Sequence, residues 1–205
     1  MKRNDWVAAI VIFAIVILAI INREELSEAT EYAKRTAGDA ADRLLPFEGS
    51  KYPNPTAVHR GMRNNNPGNV EDTQSWKFKV PSALNTDGRF SQFYEMDYGI
   101  RAAAILLRNY INGSNSSGAP VNTIRKIINR WAPPTGSFNG QSYTQNTSGY
   151  IESVSKDTGW SADRVIAVSK SNMFKLLKAI FSHENAGELP TDRQIYSGIE
   201  LAGIA

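Results

Sequence analysis

Glu184 is the acidic residue that the sequence places best for proton transfer. It follows Met173, Leu177 and Ile180 by eleven, seven and four residues, and helical spacing puts all four side chains on one face. Glu184 also falls in the last turn of that helix, where the helix dipole disfavours a negative charge. Burial and the dipole both favour the protonated carboxyl group that general acid catalysis requires near neutral pH. The alternative is a helix that ends earlier and leaves Glu184 solvated beside His183.

Glu48 is the second candidate acid, because it also follows an apolar helix end and precedes an aromatic residue, Tyr52. It could equally be a carboxylate in a linker. A second carboxylate, if the chemistry needs one, could come from acids that flank a predicted β-ribbon. Each of these acids is also explained as a surface charge or a helix cap: Glu71, Asp72, Glu95 and Asp97.

The composition excludes most other catalytic chemistry. The sequence has no cysteine, which excludes disulfides, thiolate zinc sites and cysteine nucleophiles. Its two histidines, His59 and His183, show no metal-ligand spacing, so we predict no metal site, although two histidines and a carboxylate could still form one. The P-loop, the dinucleotide fingerprint and the nucleophile elbow are also absent. Carboxylate chemistry remains, and no cofactor is predicted.

Aromatic and amide side chains in the predicted loops suit a carbohydrate ligand. Sugar rings present apolar faces that stack on aromatic rings, and asparagine amides match sugar hydroxyl groups. The alternatives are core packing of the aromatic residues, or base stacking, which would require Lys and Arg clustered beside them. The predicted ligand-binding residues are Asn64, Asn65, Asn66, Tyr94, Trp131 and Tyr150.

The spacing of apolar residues predicts the elements that would position these side chains. It indicates four helices, around 100–111, 124–131, 150–154 and 173–184. A capping box at 191–194 predicts the start of a further helix. Short β-like runs at 76–80 and 89–94 predict a small ribbon, and a polar loop is expected at 133–146. The sequence therefore predicts a mostly helical α+β domain at residues 51–205.

The positive charge belongs to that domain. Residues 51–205 carry seventeen basic and twelve acidic side chains, whereas the whole chain has a net charge of +3. An acidic polymer such as cell wall or nucleic acid would suit this charge, but so would an ordinary soluble domain.

The amino-terminal region predicts a membrane anchor. The sixteen apolar residues Trp6–Ile21 would span roughly 24 Å as a helix, close to a hydrocarbon core of about 30 Å. A cleaved signal peptide is the alternative, but no A-x-A cleavage pattern follows the run. Flanking charges predict an internal amino terminus and an external domain, in a viral membrane or a bacterial inner membrane facing the periplasm. The predicted organisation is an anchor at 1–22, a helical stalk at 23–50 and the domain.

Several ordered motifs carry a resemblance to a known family. Residues 60–70, RGMRNNNPGNV, resemble the R-G-[IM]-R-N-N-N-P-G-N signature of phage-encoded lysozyme-like proteins, which are described either as virion structural proteins or as cell-wall hydrolases. The resemblance continues through FYEMDYGIRA (93–102) and INRWAPP (128–134) to HEN (183–185), and covers about residues 60–185. It implies a lysozyme-like fold and a lytic-transglycosylase-like activity associated with the virion.

The resemblance implies a mechanism with one acid. In lytic transglycosylases a single glutamate protonates the glycosidic oxygen, and a hydroxyl group of the sugar then closes an anhydro ring. The catalytic glutamate usually comes early in such chains, an order that Glu48 would preserve. Glu184 comes last, as a circular permutation would place it, so both residues stay candidates.

Taken together, the residues and the resemblance predict a membrane-anchored, phage virion-associated peptidoglycan hydrolase that opens the wall for genome entry or exit. Its expected partners are glycan strands, a lipid membrane contacted through Trp6–Ile21 and other virion proteins, with no specific nucleic acid. One alternative is a structural wall-binding protein with an inactive lysozyme-like fold. Another is a genome-transfer membrane protein, whose binding to nucleic acid would fall steeply with salt. The sequence does not decide between the reaction product of a lysozyme and that of a lytic transglycosylase.

Overall fold

Six α-helices and a two-stranded antiparallel sheet make up the part of the chain that this computed structural model describes, residues 57–114 and 118–205. These residues fall within one unit of the chain, 51–205. The helices are α1 (Arg60–Arg63), α2 (Met96–Ile111), α3 (Ile124–Trp131), α4 (Thr147–Thr158), α5 (Lys170–Glu184) and α6 (Asp192–Leu201). The strands are β1 (Thr135–Phe138) and β2 (Gln141–Thr144), and a 3₁₀ turn spans Ser82–Leu84. The architecture is α+β and mainly helical, as predicted.

Helix α2 lies in the apolar core and packs against α5 and α6. Its residues Ile100, Ala103 and Leu107 are fully buried, as their helical spacing predicts. The contact with α6 is close because Gly198 has no side chain, and a Cβ there would lie 2.4 Å from Cγ2 of Ile100. The apolar stripes predicted for the other helices are buried as well: Ile124, Ile127, Ile128, Tyr150, Ile151, Val154, Met173, Leu177, Ile180, Ile195 and Ile199.

Side-chain caps fix where four of these helices begin, and Thr123 provides the cap of α3. Asn146 accepts a hydrogen bond from the backbone N–H of Gly149 at the start of α4. Ser169 caps the start of α5 in the same way. Thr191 and Gln194 form the capping box predicted for α6, so that prediction is confirmed.

The segment between α1 and α2 is less regular than the predicted β-ribbon. Phe78 has a φ of 53°, a left-handed conformation that interrupts an extended strand in the run 76–80. Outside the named strands, the described residues contain only isolated β-bridges, which pair Glu71 with Phe90 and Lys79 with Phe93. The predicted ribbon is therefore reduced to two single bridges.

A regular hairpin forms where the sequence predicted a polar loop at 133–146. Strands β1 and β2 pair antiparallel, with Thr135 opposite Thr144. The turn residues Asn139 and Gly140 have φ values of 50° and 76°, and tight hairpin turns of type I′ require positive φ at both positions. The loop prediction was wrong because it overlooked this Asn-Gly signal.

The membrane arrangement predicted from the sequence is corrected. Among residues 57–114 and 118–205, no helix has the length and apolar content needed to cross a membrane. Even α2, with sixteen residues, carries Asp97, Arg101 and Arg108, and a membrane span needs about 20 mainly apolar residues. The described residues therefore do not support the transmembrane helix in the fold prediction or the single-pass localisation, whereas the membrane as a partner stays a prediction. The segments on which they rested, 1–22 and 23–50, lie outside the described residues.

Candidate active site

Glu184 occupies the last position of α5, and hydrogen bonds hold both oxygens of its carboxylate. The hydroxyl of Tyr150 donates a hydrogen bond of 2.8 Å to Oε1 of Glu184. The side-chain amide of Asn69 donates a second, also 2.8 Å long, to Oε2. Two neutral donors from distant segments therefore fix the orientation of a half-buried carboxylate. The alternative in which α5 ends before Glu184 is wrong.

Helix α4 places Tyr150 against the end of α5. Tyr150 is 5% exposed, and its ring stacks on that of His183 with the centroids 3.6 Å apart and the planes 17° from parallel. Burial raises the pKa of Tyr150 well above its ordinary value, and the charge and hydrogen bond of Glu184 act in the same direction. The hydroxyl group therefore stays protonated near neutral pH and remains a donor to Glu184.

His183 covers one face of the Tyr150 ring. Burial lowers the pKa of His183 below its ordinary value, although the charges of Glu184 and Asp157 act in the opposite direction. The imidazole is therefore mostly neutral near neutral pH, and it stacks on Tyr150 without placing a full positive charge beside the carboxylate.

Asn66 builds the turn that carries Asn69. Its fully buried side chain accepts a hydrogen bond from the backbone N–H of Val70 and donates to the carbonyl of Val70, both 2.9 Å, and to the carbonyl of Ser91 at 2.8 Å. Asn69 follows with a φ of 48°, a left-handed conformation that asparagine tolerates better than most residues. This turn places the Asn69 amide at Oε2 of Glu184.

Asn185 joins the end of α5 to the same turn. It is fully buried, and its side-chain amide donates to the carbonyls of Pro67 at 2.8 Å and Phe181 at 2.9 Å. Gly61 allows this close packing, because a Cβ on it would lie 2.5 Å from Oδ1 of Asn185 and 3.2 Å from Oδ1 of Asn69. Glu184 is thus held both through its own carboxylate and through the next residue.

Sequence reasoning assigned no role to Asn69 or Asn185. Both lie inside motifs that carried the resemblance, and both had a local signal. Asn69 follows Pro67-Gly68, a pair typical of turns, and Asn185 directly follows the candidate acid at the end of α5. These local patterns indicated a turn and a helix end, but they did not indicate which side chains Asn69 and Asn185 would contact.

A shallow depression of about 280 Å³ borders this arrangement. Tyr150 and His183 line it, together with Gln145, Asn146 and other residues around the start of α4. Its walls therefore combine aromatic rings with amide side chains, the groups expected to contact a sugar. We call it the Tyr150 depression.

The arrangement around Glu184 is suited to proton transfer. A tyrosine hydroxyl can both donate and accept a hydrogen bond, so Tyr150 can hold Glu184 as a carboxylate or as a carboxylic acid. A carboxyl group held in this way can give a proton to a nearby ligand atom and take one back. The described geometry thus provides one positioned acid/base group.

The asparagines predicted to bind ligand are engaged within the protein. Asn64 donates to Asp87 at 2.8 Å and accepts from Gln92 at 3.0 Å. Asn65 donates to the backbone carbonyl of Phe93 at 3.0 Å. Together with the bonds of Asn66, these contacts shape the turn that leads to Asn69. The structure therefore gives these residues a positioning role, and direct ligand binding by them stays a prediction.

The three predicted aromatic residues occupy different places. Tyr150 contacts Glu184, whereas Trp131 packs edge-on to Tyr110, with ring centroids 6.5 Å apart. A Cβ on Gly68 would lie 3.0 Å from the Trp131 ring, so Trp131 supports the turn before Asn69. Tyr94 is half-buried just before α2.

Of the four acids that could have supplied a second carboxylate, two form ion pairs within the protein and two lie at the start of a helix. Glu71 pairs with Arg89 at 2.9 Å, and Asp72 pairs with Lys79 at 2.6 Å. Burial alone would raise the pKa of Asp72, but Lys79 and neighbouring donors lower it overall. The other two acids lie at the start of α2: Glu95 and Asp97. Glu48 lies outside the described residues.

Across residues 57–114 and 118–205, no group of three His, Asp or Glu side chains is placed to hold a metal ion. His59 directly precedes α1, and His183 stacks on Tyr150.

Comparison with known proteins connects this chain with a phage. No family model matches it. The chain is similar to Protein P5 of Pseudoalteromonas phage PM2, at 28% identity over 151 residues, which cover 71% of this chain and 85% of that protein. The name Protein P5 states neither an activity nor a ligand, so the similarity points to a phage protein and to nothing finer.

Proposed function

We propose that this protein is a phage virion-associated peptidoglycan hydrolase that cleaves the glycan strand, with Glu184 as its general acid. The observation that carries the proposal is the placement of the Glu184 carboxylate between Tyr150 and Asn69, beside a depression lined by aromatic and amide groups. The similarity to a phage protein supports the phage setting. The motif resemblance supports the reaction and the lysozyme-like fold.

The reaction that fits a single positioned acid is the transglycosylase reaction. Protonated Glu184 gives its proton to the glycosidic oxygen as the bond from that oxygen to the anomeric carbon breaks. A hydroxyl group of the same sugar then bonds to the anomeric carbon and returns its proton to the carboxylate, which forms an anhydro ring. If water took the place of that hydroxyl group, the product would be a reducing end, as in a lysozyme.

Tyr150 and Asn69 act as positioning residues in this mechanism. Each holds one oxygen of Glu184, and Tyr150 also contributes to the wall of the Tyr150 depression. General acid catalysis depends on bringing the carboxyl group within hydrogen-bond distance of the leaving oxygen, which a freely rotating side chain does poorly.

The test is digestion of purified peptidoglycan by the full chain, with the soluble products identified by mass spectrometry. Glu184→Gln keeps the side-chain shape and removes the acid, so we expect fragment release to fall by roughly 10²- to 10⁴-fold. Glu200→Gln changes an exposed carboxylate on α6 and should have no effect. Anhydro products would identify a transglycosylase, and reducing ends a lysozyme.

Two results would overturn parts of the proposal. Undiminished cleavage by Glu184→Gln, with loss in Glu48→Gln, would move the acid to Glu48. Absence of soluble fragments from the wild-type chain, combined with its sedimentation on the wall, would identify a wall-binding protein instead of an enzyme.

A further inference from the structure

We propose that a second cavity, between α3 and α4, binds the peptide stems of peptidoglycan through a carboxylate and an amino group of the stem. This inference rests on the proposed function, because it identifies a further part of the same substrate. The cavity has a volume of about 420 Å³, and Arg125, Ser148, Ile151, Glu152, Ser155 and Ala162 line it. We call it the α3–α4 cavity.

Opposite charges stand at the rim of the α3–α4 cavity. Arg125 is exposed and pairs with Asp163 through Nε and Nη2, both at 2.8 Å, which leaves Nη1 for another acceptor. Glu152 is an exposed carboxylate on α4. A guanidinium group binds a carboxylate and a carboxylate binds an ammonium group, so the pair matches a ligand that carries both charges. Peptide stems with free amino and carboxyl groups have this chemistry, whereas the sugars of the strand do not provide it as a pair.

The cavity also offers apolar and hydrogen-bonding groups for a short peptide. Ile151, which is 8% exposed, and Ala162 present apolar atoms that suit small side chains such as that of alanine. The hydroxyl of Ser155 is buried, and it has no hydrogen-bond partner within the described part of the chain. A buried hydroxyl without a partner is unfavourable, so an amide group of the ligand would satisfy it.

The α3–α4 cavity and the Tyr150 depression are separate, but residues near the start of α4 line both of them. Ser148 lines the α3–α4 cavity, and Asn146 lines the Tyr150 depression. The hydroxyl group of Ser148 donates a hydrogen bond of 3.0 Å to Oδ1 of Asn146. Tyr150 and Ile151 are consecutive residues that line one cavity each. Consecutive residues of an α-helix point about 100° apart around its axis, so the two cavities lie on neighbouring faces of α4. A glycan strand in the Tyr150 depression would therefore bring an attached stem close to the α3–α4 cavity.

The test measures binding of stem peptides, released from peptidoglycan by an amidase, to the full chain by titration calorimetry. Arg125→Gln and Glu152→Gln each remove one charge at the rim, and each should weaken binding roughly tenfold or more. Arg193→Gln and Glu200→Gln remove the same charges from exposed positions on α6 and should change binding less than about twofold. Ser155→Ala should weaken binding without changing the charge.

The outcomes separate this inference from the proposed function, because peptide binding does not require cleavage. If Glu184→Gln abolishes cleavage but stem peptides do not bind, or bind the rim variants as well as the wild type, the α3–α4 inference is wrong and the enzyme stands. If the rim variants lose binding while the wild-type chain releases no fragments, the cavity is supported and the enzymatic proposal is wrong.

Discussion

Tyr150 and Glu184 are joined by a hydrogen bond of 2.8 Å between residues thirty-four positions apart in the chain. The bond connects the first turn of α4 to the last turn of α5, two helices that pack against each other. Because burial and the neighbouring carboxylate raise the pKa of Tyr150, its hydroxyl group stays protonated and continues to donate to Glu184. The pair thus combines a buried donor with a carboxylate held in one orientation.

Tyr150→Phe should slow cleavage without preventing binding of the glycan. The variant keeps the ring that stacks on His183 but removes the hydroxyl group, and a hydrogen bond to a charged group contributes roughly 1.5–3 kcal/mol. We expect kcat to fall about tenfold or more and KM to change little, as measured by initial rates on purified glycan strands. Tyr196→Phe, the same change on an exposed residue of α6, is the matched control. An unchanged kcat would show that Tyr150 serves only in packing.

Asn66→Ala should act on stability and not on ligand affinity. The substitution removes the Asn66 partner of the Val70 N–H and of the Ser91 carbonyl, whereas the Val70 carbonyl keeps its bond from the Ser91 N–H. The expected cost is roughly 1–3 kcal/mol in the free energy of unfolding. Urea unfolding monitored by circular dichroism measures this free energy. Asn146→Ala removes the cap of α4 and serves as the comparison, with an expected loss of about 1 kcal/mol in the free energy of unfolding. Full stability combined with weaker glycan binding would instead support the predicted role of Asn66 in binding the ligand.

Gly99→Ala should destabilise the fold, although alanine is normally the better residue in a helix. A Cβ at this position of α2 would lie 1.8 Å from the carbonyl oxygen of Asn65, so the turn or the helix must move. Overpacking of this kind lowers the free energy of unfolding by about 1–3 kcal/mol. The usual effect of replacing glycine with alanine inside a helix has the opposite sign, a gain of roughly 0.5–1 kcal/mol. Thermal unfolding measures the change, and Lys156→Ala on the exposed side of α4 is the control. A variant more stable than the wild type would contradict this packing.

His183 should make the fold less stable in mild acid. Because the pKa of His183 is lowered in the folded protein, the unfolded chain binds more protons as the pH falls through about 6.5. Stability should therefore decrease with falling pH in that range, and His183→Gln should remove this part of the decrease. The comparison is the unfolding temperature of both proteins at about pH 7.5 and about pH 5.

Carboxylates affect the stability of the fold in a lower range of pH than His183 does. Burial alone would raise the pKa of Asp72, but Lys79 and the neighbouring donors lower it overall. The stability that ionised Asp72 contributes is therefore present above about pH 4 and is lost as the pH falls below that value. A decrease between about pH 6.5 and about pH 5 that persists in His183→Gln would assign the effect to another group.

The helices could be predicted because each rests on a local pattern. Ile100 and Leu107 recur at helical spacing, and Thr191 precedes Gln194 at the spacing of a capping box. The segment before α2 lacked such a pattern, since its conformation depends on side-chain bonds from Asn64 and Asn66 to distant backbone and side-chain groups. Phe78 also adopts a positive φ that its residue type does not indicate.

The geometry of the candidate site was predictable only in part. The apolar stripe that ends at Glu184 placed this residue at a helix end, and apolar spacing placed Tyr150 on a helix. Its partner Asn69 lies 115 residues away, and no spacing rule connects two such positions. The same limit applies to Asn185, whose bond to Pro67 crosses 118 residues.

These two long-range bonds have a consequence for how the proposed activity would be lost. Closing a loop of more than a hundred residues costs conformational entropy, and what offsets that cost here is the packing of one turn against the end of α5. Local opening of that turn would release the carboxylate while the helices stay folded. Heat or mild denaturant should therefore inactivate the protein before the helical signal changes, and during refolding catalysis should return after the helices.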